Sequence, residues 1–208
     1  MAQWRSATAI IASVTVAVSA FVLLFMNVGV AATYWGFTPA AVGVNLTGGL
    51  AIPWWLTPFT AELLHGGWLH LGVNMLILMF VGFQVERVIG ASGLVLAYLV
   101  GALAAAAAQY AANPLGAIPM VGASGAISAL FGLYALFFGR PKQVTRNQRV
   151  NRWIHAAWLL ATWVVLQWMA AILAGSEGVL LATPAHVGGF IAGLLLQRPL
   201  LLWRYRKA

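Results

Sequence analysis

The sequence predicts an all-α membrane protein of six transmembrane helices with both termini cytoplasmic. Three observations carry that prediction. Of 208 residues, 62% are hydrophobic and only 7% charged, and the mean hydropathy is +0.91, a composition outside the range of soluble globular domains. Apolar stretches that as helix cross or nearly cross a hydrocarbon core of about 30 Å recur six times. The eleven Lys and Arg residues fall only at the termini and in alternate connections, as the accumulation of positive charge in cytoplasmic loops requires.

In chain order, the first span runs from Ala7 to Val30 behind Arg5. It is too long for a signal-peptide core and lacks a cleavage motif, so it is expected to be a retained signal anchor. The connection from Ala31 to about Thr60 is uncharged in its loop portion and carries Gly43, Gly48, Gly49, Pro39, Pro53 and Pro58 among aromatic residues. It is expected to lie in the membrane interface, although an ordinary extracellular loop would use the same turn residues. The second span, Gly67 to Gln84, and the third, Ser92 to Ala111, flank Arg87.

Asn113 to Val121, with Pro114, Gly116 and Pro119, is suited to dip into the membrane as irregular backbone lining a wet cavity. The fourth span, Ser124 to Phe138, is short. At roughly 22 Å of helix its outer end stops below the membrane surface if its inner end reaches the cytoplasmic interface. A basic loop from Gly139 to Asn151 leads to the fifth span, Trp153 to Leu173, and Arg140, Lys142, Arg146, Arg149 and Arg152 lie in it or at its edge. Ala174 to Thr183, with Gly175 and Gly178 as candidate hinges, joins the sixth span, Ala185 to Trp203, and Arg198, Arg204, Arg206 and Lys207 close the chain. No repeat or charged linker divides these elements, so residues 1–208 are expected to form one integral-membrane domain.

The net charge of +8 is spread over one membrane face with no loop large enough for a binding domain. That pattern argues against nucleic acid and for anionic lipid headgroups as partner. With no cysteine in the chain, disulfides, thiolate metal sites and a cysteine nucleophile are excluded. Trp4, Trp153 and Trp203 on the inside, and Trp35, Trp54, Trp55 and Trp68 on the outside, fit interfacial belts, and most of the ten tryptophans read as anchors.

Proton-exchanging side chains are expensive inside a bilayer and mark a site or a polar partner. The second, fourth and sixth spans run in the same direction, so His70, Asn74, Ser124 and His186, all near their N-terminal ends, come to the same outer side. Alone, Gly122-Ala123-Ser124-Gly125 reads as a small-residue packing surface, and a single intramembrane histidine as a structural hydrogen-bonding group or part of a proton path. Together they suit nucleophilic chemistry, since a serine needs an adjacent base. Of the three acidic residues, Glu86 lies on the cytoplasmic side and reads as a structural cap or tether, while Glu62 and Glu177 are on the outer side without an evident role. No His-Glu-x-x-His string exists, so no metal site is expected.

The strings Gly122-Ala123-Ser124-Gly125, Ala185-His186-x-x-Gly189-x-x-x-Gly193 and His65 followed by His70-Leu71-Gly72-Val73-Asn74, with Glu86 and Gly90 beyond, occur in an order that resembles the rhomboid intramembrane serine proteases over nearly the whole chain. The resemblance implies a six-helix rhomboid bundle with a long interfacial first loop. It implies Ser124 as nucleophile, His186 as general base, and His70, Asn74 and the Ser124 backbone N–H as oxyanion donors. It implies cleavage of single-span membrane proteins within or beside a transmembrane segment through an acyl-enzyme, and no cofactor is expected. The lack of an attached soluble domain favours a compact prokaryotic form in the cytoplasmic membrane, with an organellar membrane as the alternative. A rhomboid-like binding protein or chaperone without catalysis is the alternative, whose usual sign is loss of the serine or the histidine.

Gly122 and Gly125 keep the approach to the serine open, His65 is a structural support beside it, and Gly189 and Gly193, spaced four apart, allow close helix packing. Two positions depart from the family pattern. Many relatives carry an aromatic residue four positions after the nucleophile, packed on the histidine, where this chain has Ser128; many also have a Trp-Arg pair in the first loop, where Trp54 and Trp55 stand without arginine.

Overall fold

The computed structural model describes residues 6–44, 51–173 and 182–206. These form helices α1 (Ala7–Phe25), α2 (Val28–Trp35), α3 (Thr57–Thr60), α4 (Trp68–Ala112), α5 (Ser124–Phe138), α6 (Gln148–Leu173) and α7 (Thr183–Arg204). Trp4, Arg5, Gly48, Gly49, Gly175, Glu177, Gly178 and Lys207 lie outside the described residues.

The first expected span divides in two. Ser6 caps α1 through its hydroxyl; after Phe25 the chain turns extended, and the Asn27 side chain caps a separate α2 by accepting from Val30 N–H. The second and third expected spans instead join into one 45-residue run, broken only at Gly90 (φ 77°, ψ 168°). A single rod of that length would measure about 68 Å, twice a hydrocarbon core, so the left-handed glycine is where the chain must turn.

Side-chain pairings confirm the reversal. Phe80 in the first half of α4 lies tilted against Tyr134 of α5 and His70 lies against Gly122 just before α5, so that half runs parallel to α5. In the second half a Cβ on Gly101 would press on Ala126 and Ala129, and one on Gly125 would press on Ala105, so that half runs antiparallel to α5. The α7 helix lies beside it with the same sense as α5, Gly188 facing Ala104 and Ala108 while Arg204 meets Gly90.

The centre of the bundle is therefore α4, α5 and α7, closed around Leu78, Val81, Leu94, Ala97, Ile127, Leu130 and Leu133, all fully buried. In lipid there is little hydrophobic drive between helices, and small residues that let backbones meet supply the packing. A Cβ on Gly189 would collide with the Gly125 carbonyl oxygen, one on Gly193 with that of Ala129, and one on Gly132 with that of Phe190. Large apolar side chains such as Phe25, Leu76, Phe80, Leu195 and Leu202 point outward, as a lipid-facing surface requires.

By length and composition, Ala7–Phe25, Trp68–Ala112 and Thr183–Arg204 are apolar enough to cross a membrane, and Ser124–Phe138 is a shorter apolar helix. Glu86 ties α1 to the bundle: its carboxylate accepts the N–H groups of Ala7 and Thr8 at 2.8 and 3.0 Å and the Thr8 hydroxyl at 2.6 Å. An acid on the first free N–H groups of a helix is favourably placed, and the expected cap is thus a cross-helix one. Arg87, Arg204 and the stretch from Arg140 to Arg152 gather at this end, since Gly90 meets Arg204 and Arg152 reaches the Leu136 carbonyl. Ser124 and His186 lie at the other.

Candidate active site

Three helix starts and one connecting segment build the site. The chain after Ala112 leaves the helix, turns back through Gly116, and pairs Met120 with Phe37 through two backbone bonds of 2.8 and 2.9 Å. Gly122 then adopts φ +120°, and any Cβ there would stand 2.7 Å from His70 Cε1 and 2.8 Å from its Nε2. Only glycine combines that backbone with that approach. The expected irregular segment therefore presses on the two polar residues of α4.

Ser124 is the first residue of α5. His186, one turn into α7, meets it: Ser124 Oγ and His186 Nε2 are 2.8 Å apart, with the serine 8% and the histidine 2% exposed. For the hydroxyl to donate to Nε2, the imidazole proton sits on Nδ1, which is buried without a hydrogen-bond partner among the described residues. The two side chains form a buried hydrogen-bonded pair. Its separation is set by the glycines, because the contacts of Gly189 with Gly125 and of Gly193 with Ala129 bring the two helix axes together directly beneath it.

Asn74 is fully buried; its Oδ1 accepts from Gln167 Nε2 at 3.4 Å, and its Nδ2 has no partner among the described residues. A Cβ on Gly122 would lie 3.6 Å from that amide nitrogen, so an unpaired donor borders the glycine beside the serine. A buried donor left unpaired costs about 1–3 kcal/mol, a cost that an arriving anionic oxygen would offset. His70 flanks the same point, and its ring stands edge-on to His65 with centroids 4.9 Å apart.

His65 fastens the connecting segment to both neighbours. Ser19 donates its hydroxyl to the Leu63 carbonyl at 2.7 Å and so accepts from His65 Nδ1 at 2.9 Å, while His65 Nε2 accepts the Ala123 N–H at 3.4 Å. Burial first, and nearby His70 second, pull this imidazole down to about 3, in keeping with a neutral ring that both gives and takes a bond.

Two participants were not visible in the sequence. Trp163, fully buried in α6, stacks on Phe131 at 5.4 Å and stands edge-on to His186 at 6.3 Å. Its indole N–H donates to Ser128 Oγ at 2.6 Å, and Ser128 donates to the Ser124 carbonyl at 2.7 Å. The aromatic contact that Ser128 itself cannot make comes from another helix, and the serine hydroxyl ties that ring to the backbone of Ser124. A signal existed: Trp163 is ten residues from either end of the expected fifth span, about 15 Å deep, where an interfacial anchor does not belong. Trp163→Ala is expected to cost about 3–5 kcal/mol of stability, and Trp163→Phe, which keeps a ring but leaves Ser128 without its donor, less. Thermal unfolding of the two variants in detergent checks the order.

The second is Glu62, on the short turn Ala61–Leu63 and 3% exposed. Its Oε2 accepts the Ala126 N–H at 3.4 Å, and its Oε1 lies 3.3 Å from where a Gly125 Cβ would be. Burial pushes the carboxyl up to about 8, with the Ala126 bond opposing. Folding therefore takes up a proton above about pH 4.5, so this group's cost to stability is absent below that pH and grows until about pH 8. Glu62→Gln is expected to leave the melting temperature unchanged at pH 4.5 and to raise it at pH 9. Equal shifts at both pH values would contradict the neutral carboxyl.

A family model described as "Rhomboid domain" matches residues 53–203. Among curated proteins, "Putative rhomboid protease YdcA" of Bacillus subtilis (strain 168) is 36% identical over 92 residues, which cover 44% of this chain and 45% of that protein. The chain thus matches less than half the length of this relative.

Proposed function

As the chain belongs to the rhomboid family, and its apolar helices make it an integral membrane protein, we propose that it is a serine endopeptidase that cuts transmembrane segments of other membrane proteins. The observation that carries this reading is the 2.8 Å contact of Ser124 Oγ with His186 Nε2. It lies at the start of a helix of 15 residues, about 22 Å long, so that with its inner end at the cytoplasmic interface this outer end is recessed below the membrane surface.

In the proposed reaction His186 Nε2 takes the hydroxyl proton as Ser124 Oγ bonds to the scissile carbonyl carbon. The resulting oxyanion is held by the Ser124 N–H, Asn74 Nδ2 and His70. Collapse breaks the peptide C–N bond, and the imidazolium gives its proton to the departing amine. Water, deprotonated by His186, then releases the acyl group and restores the serine. Donors held in place before the charge develops are the largest single contribution in such sites, about 100 to 1,000-fold for one donor. The unpaired amide of Asn74 supports that role.

The same reading counts the two halves of α4 separately and adds α5 and α6 to reach six crossings, in one domain over residues 1–208. The gathering of Arg87, Arg140 and Arg204 away from the serine supports cytoplasmic termini and a site toward the outer leaflet, in a prokaryotic cytoplasmic membrane with anionic lipids against the basic end. Substrates are single-span membrane proteins whose Gly, Pro or small residues let a helix unwind. Because Ser124 and His186 are nearly covered, a substrate must displace what lies over them, and α6, attached through Trp163 and Gln167, is the proposed moving element. The test is labelling by a fluorophosphonate: the protein should label at Ser124 and Ser124→Ala should not, whereas a non-catalytic binding protein leaves both unlabelled.

A further inference from the structure

The first N–H groups of a helix have no partner within it, and α5 begins without help from its own sequence, because the residue at its cap is Ala123, which makes no side-chain bond. The segment 61–65 supplies what is missing. The Ala61 carbonyl accepts the Gly122 N–H at 2.9 Å, His65 Nε2 accepts that of Ala123, and Glu62 Oε2 accepts that of Ala126. Ala126 is the third residue of α5, the position whose N–H an ordinary capping side chain would take. Between these anchors the N–H groups of Ser124 and Gly125 point to no protein acceptor among the described residues.

We propose that Glu62 is a positioning residue for the nucleophile: it caps α5 from across the fold and, with His65, leaves the Ser124 and Gly125 N–H groups free for the reacting oxygen. This rests on the serine-protease reading. Both carboxyl oxygens lie against the Ser124-Gly125-Ala126 backbone, so the group bears on the oxyanion donors and the serine hydroxyl together. A capping side chain at residue 123 would achieve the same bond, but Ala123 is fully buried in the apolar core, and a larger polar side chain there would displace its neighbours. The remote carboxyl reaches Ala126 from the segment 61–65 instead, in the interior that Tyr98 shares. Kept neutral, it adds no negative charge where an oxyanion must form, and a glutamine reproduces both its shape and its acceptor.

The experiment compares Glu62→Gln, Glu62→Leu and Glu62→Ala in the full chain, reading kcat and KM on a single-span substrate and amide hydrogen exchange over residues 121–130. The leucine variant should lose about 10 to 100-fold in kcat, the scale of a misplaced reacting group, with KM within about threefold. Exchange at Ala126 should accelerate while the rest of the bundle keeps its protection. The glutamine variant should recover kcat to within about threefold. Should leucine fail to fold, alanine, which removes the acceptor and adds no bulk, is expected to give the same pattern.

Undiminished kcat in the leucine or alanine variant would overturn the proposal. So would glutamine falling as far as leucine, or exchange accelerating across the whole bundle in proportion to the activity lost. Exchange is also read in the Ser124→Ala background, where no chemistry occurs. If the wild-type protein fails to label with fluorophosphonate, the serine-protease reading falls, while unchanged exchange at Ala126 in the variants refutes the cap by itself.

Discussion

Ser124→Ala is expected to reduce cleavage of a single-span membrane substrate by at least about 10,000-fold while leaving the protein folded. His186→Ala should do nearly the same, and the double variant should be no worse than either alone, because a nucleophile and its base act as one unit. The physical basis is the closeness of the pair: at 2.8 Å the proton passes directly to Nε2, and without that transfer the hydroxyl is a weak nucleophile at neutral pH. Removing the oxygen leaves the buried His186 Nε2 without its partner, a cost of about 1–3 kcal/mol, so the melting temperature should fall by about 2–12 °C with the fold retained. Mass-spectrometric detection of cleavage products in proteoliposomes measures the effect. Cleavage by Ser124→Ala at a tenth of the wild-type rate would remove the serine from the mechanism.

Gly193→Val is expected to lower stability and activity together, although the residue touches none of the reacting atoms. A Cβ there runs into the Ala129 carbonyl oxygen and stands 3.0 Å from the Ala129 Cα. Those are backbone atoms of a buried helix, so relief requires α5 and α7 to separate. Overpacking of this kind costs about 1–3 kcal/mol, occasionally more, and a displacement of about 1 Å between the helices that carry the dyad is enough for roughly 100-fold in rate. Gly193→Ala should show the same sign with smaller amplitude. Melting temperature and kcat measured on the same preparations decide the matter, and retention of both in the valine variant would refute the packing assignment.

How much of this was legible beforehand depends on the kind of interaction. His70, Asn74, Ser124 and His186 could be brought to one side from span direction alone, since helices alternate in a bilayer and a residue's depth follows from its place in the span. The shortness of the fourth span was equally legible, and α5 matches it residue for residue. Glu86 was recognised as a tether because an acid at a helix end has few other uses. Element boundaries were harder. Arg87 argued for a loop between the second and third spans, yet the helix continues past it to Gly90, because a long side chain at a helix end can extend to water while its backbone stays helical.

Glu62 and Trp163 were missed for a common reason: each acts through a partner far along the chain, Ala126 and Ser128 respectively, and neither partner announces a need. An alanine at a helix cap and a serine where an aromatic residue was expected are deficits, and sequence shows a deficit without showing what fills it.

Composition, span length and the placement of positive charge were enough by themselves to determine an apolar helical membrane protein with its buried serine and histidines on one side, because each reflects the chain's solvation one segment at a time. Which atoms touch was decided by the tertiary structure alone. The closeness of α5 and α7 at their glycines, the turn at Gly122 and the bonds from segment 61–65 are contacts between segments remote in sequence, and their geometry depends on how backbones pack rather than on any local pattern.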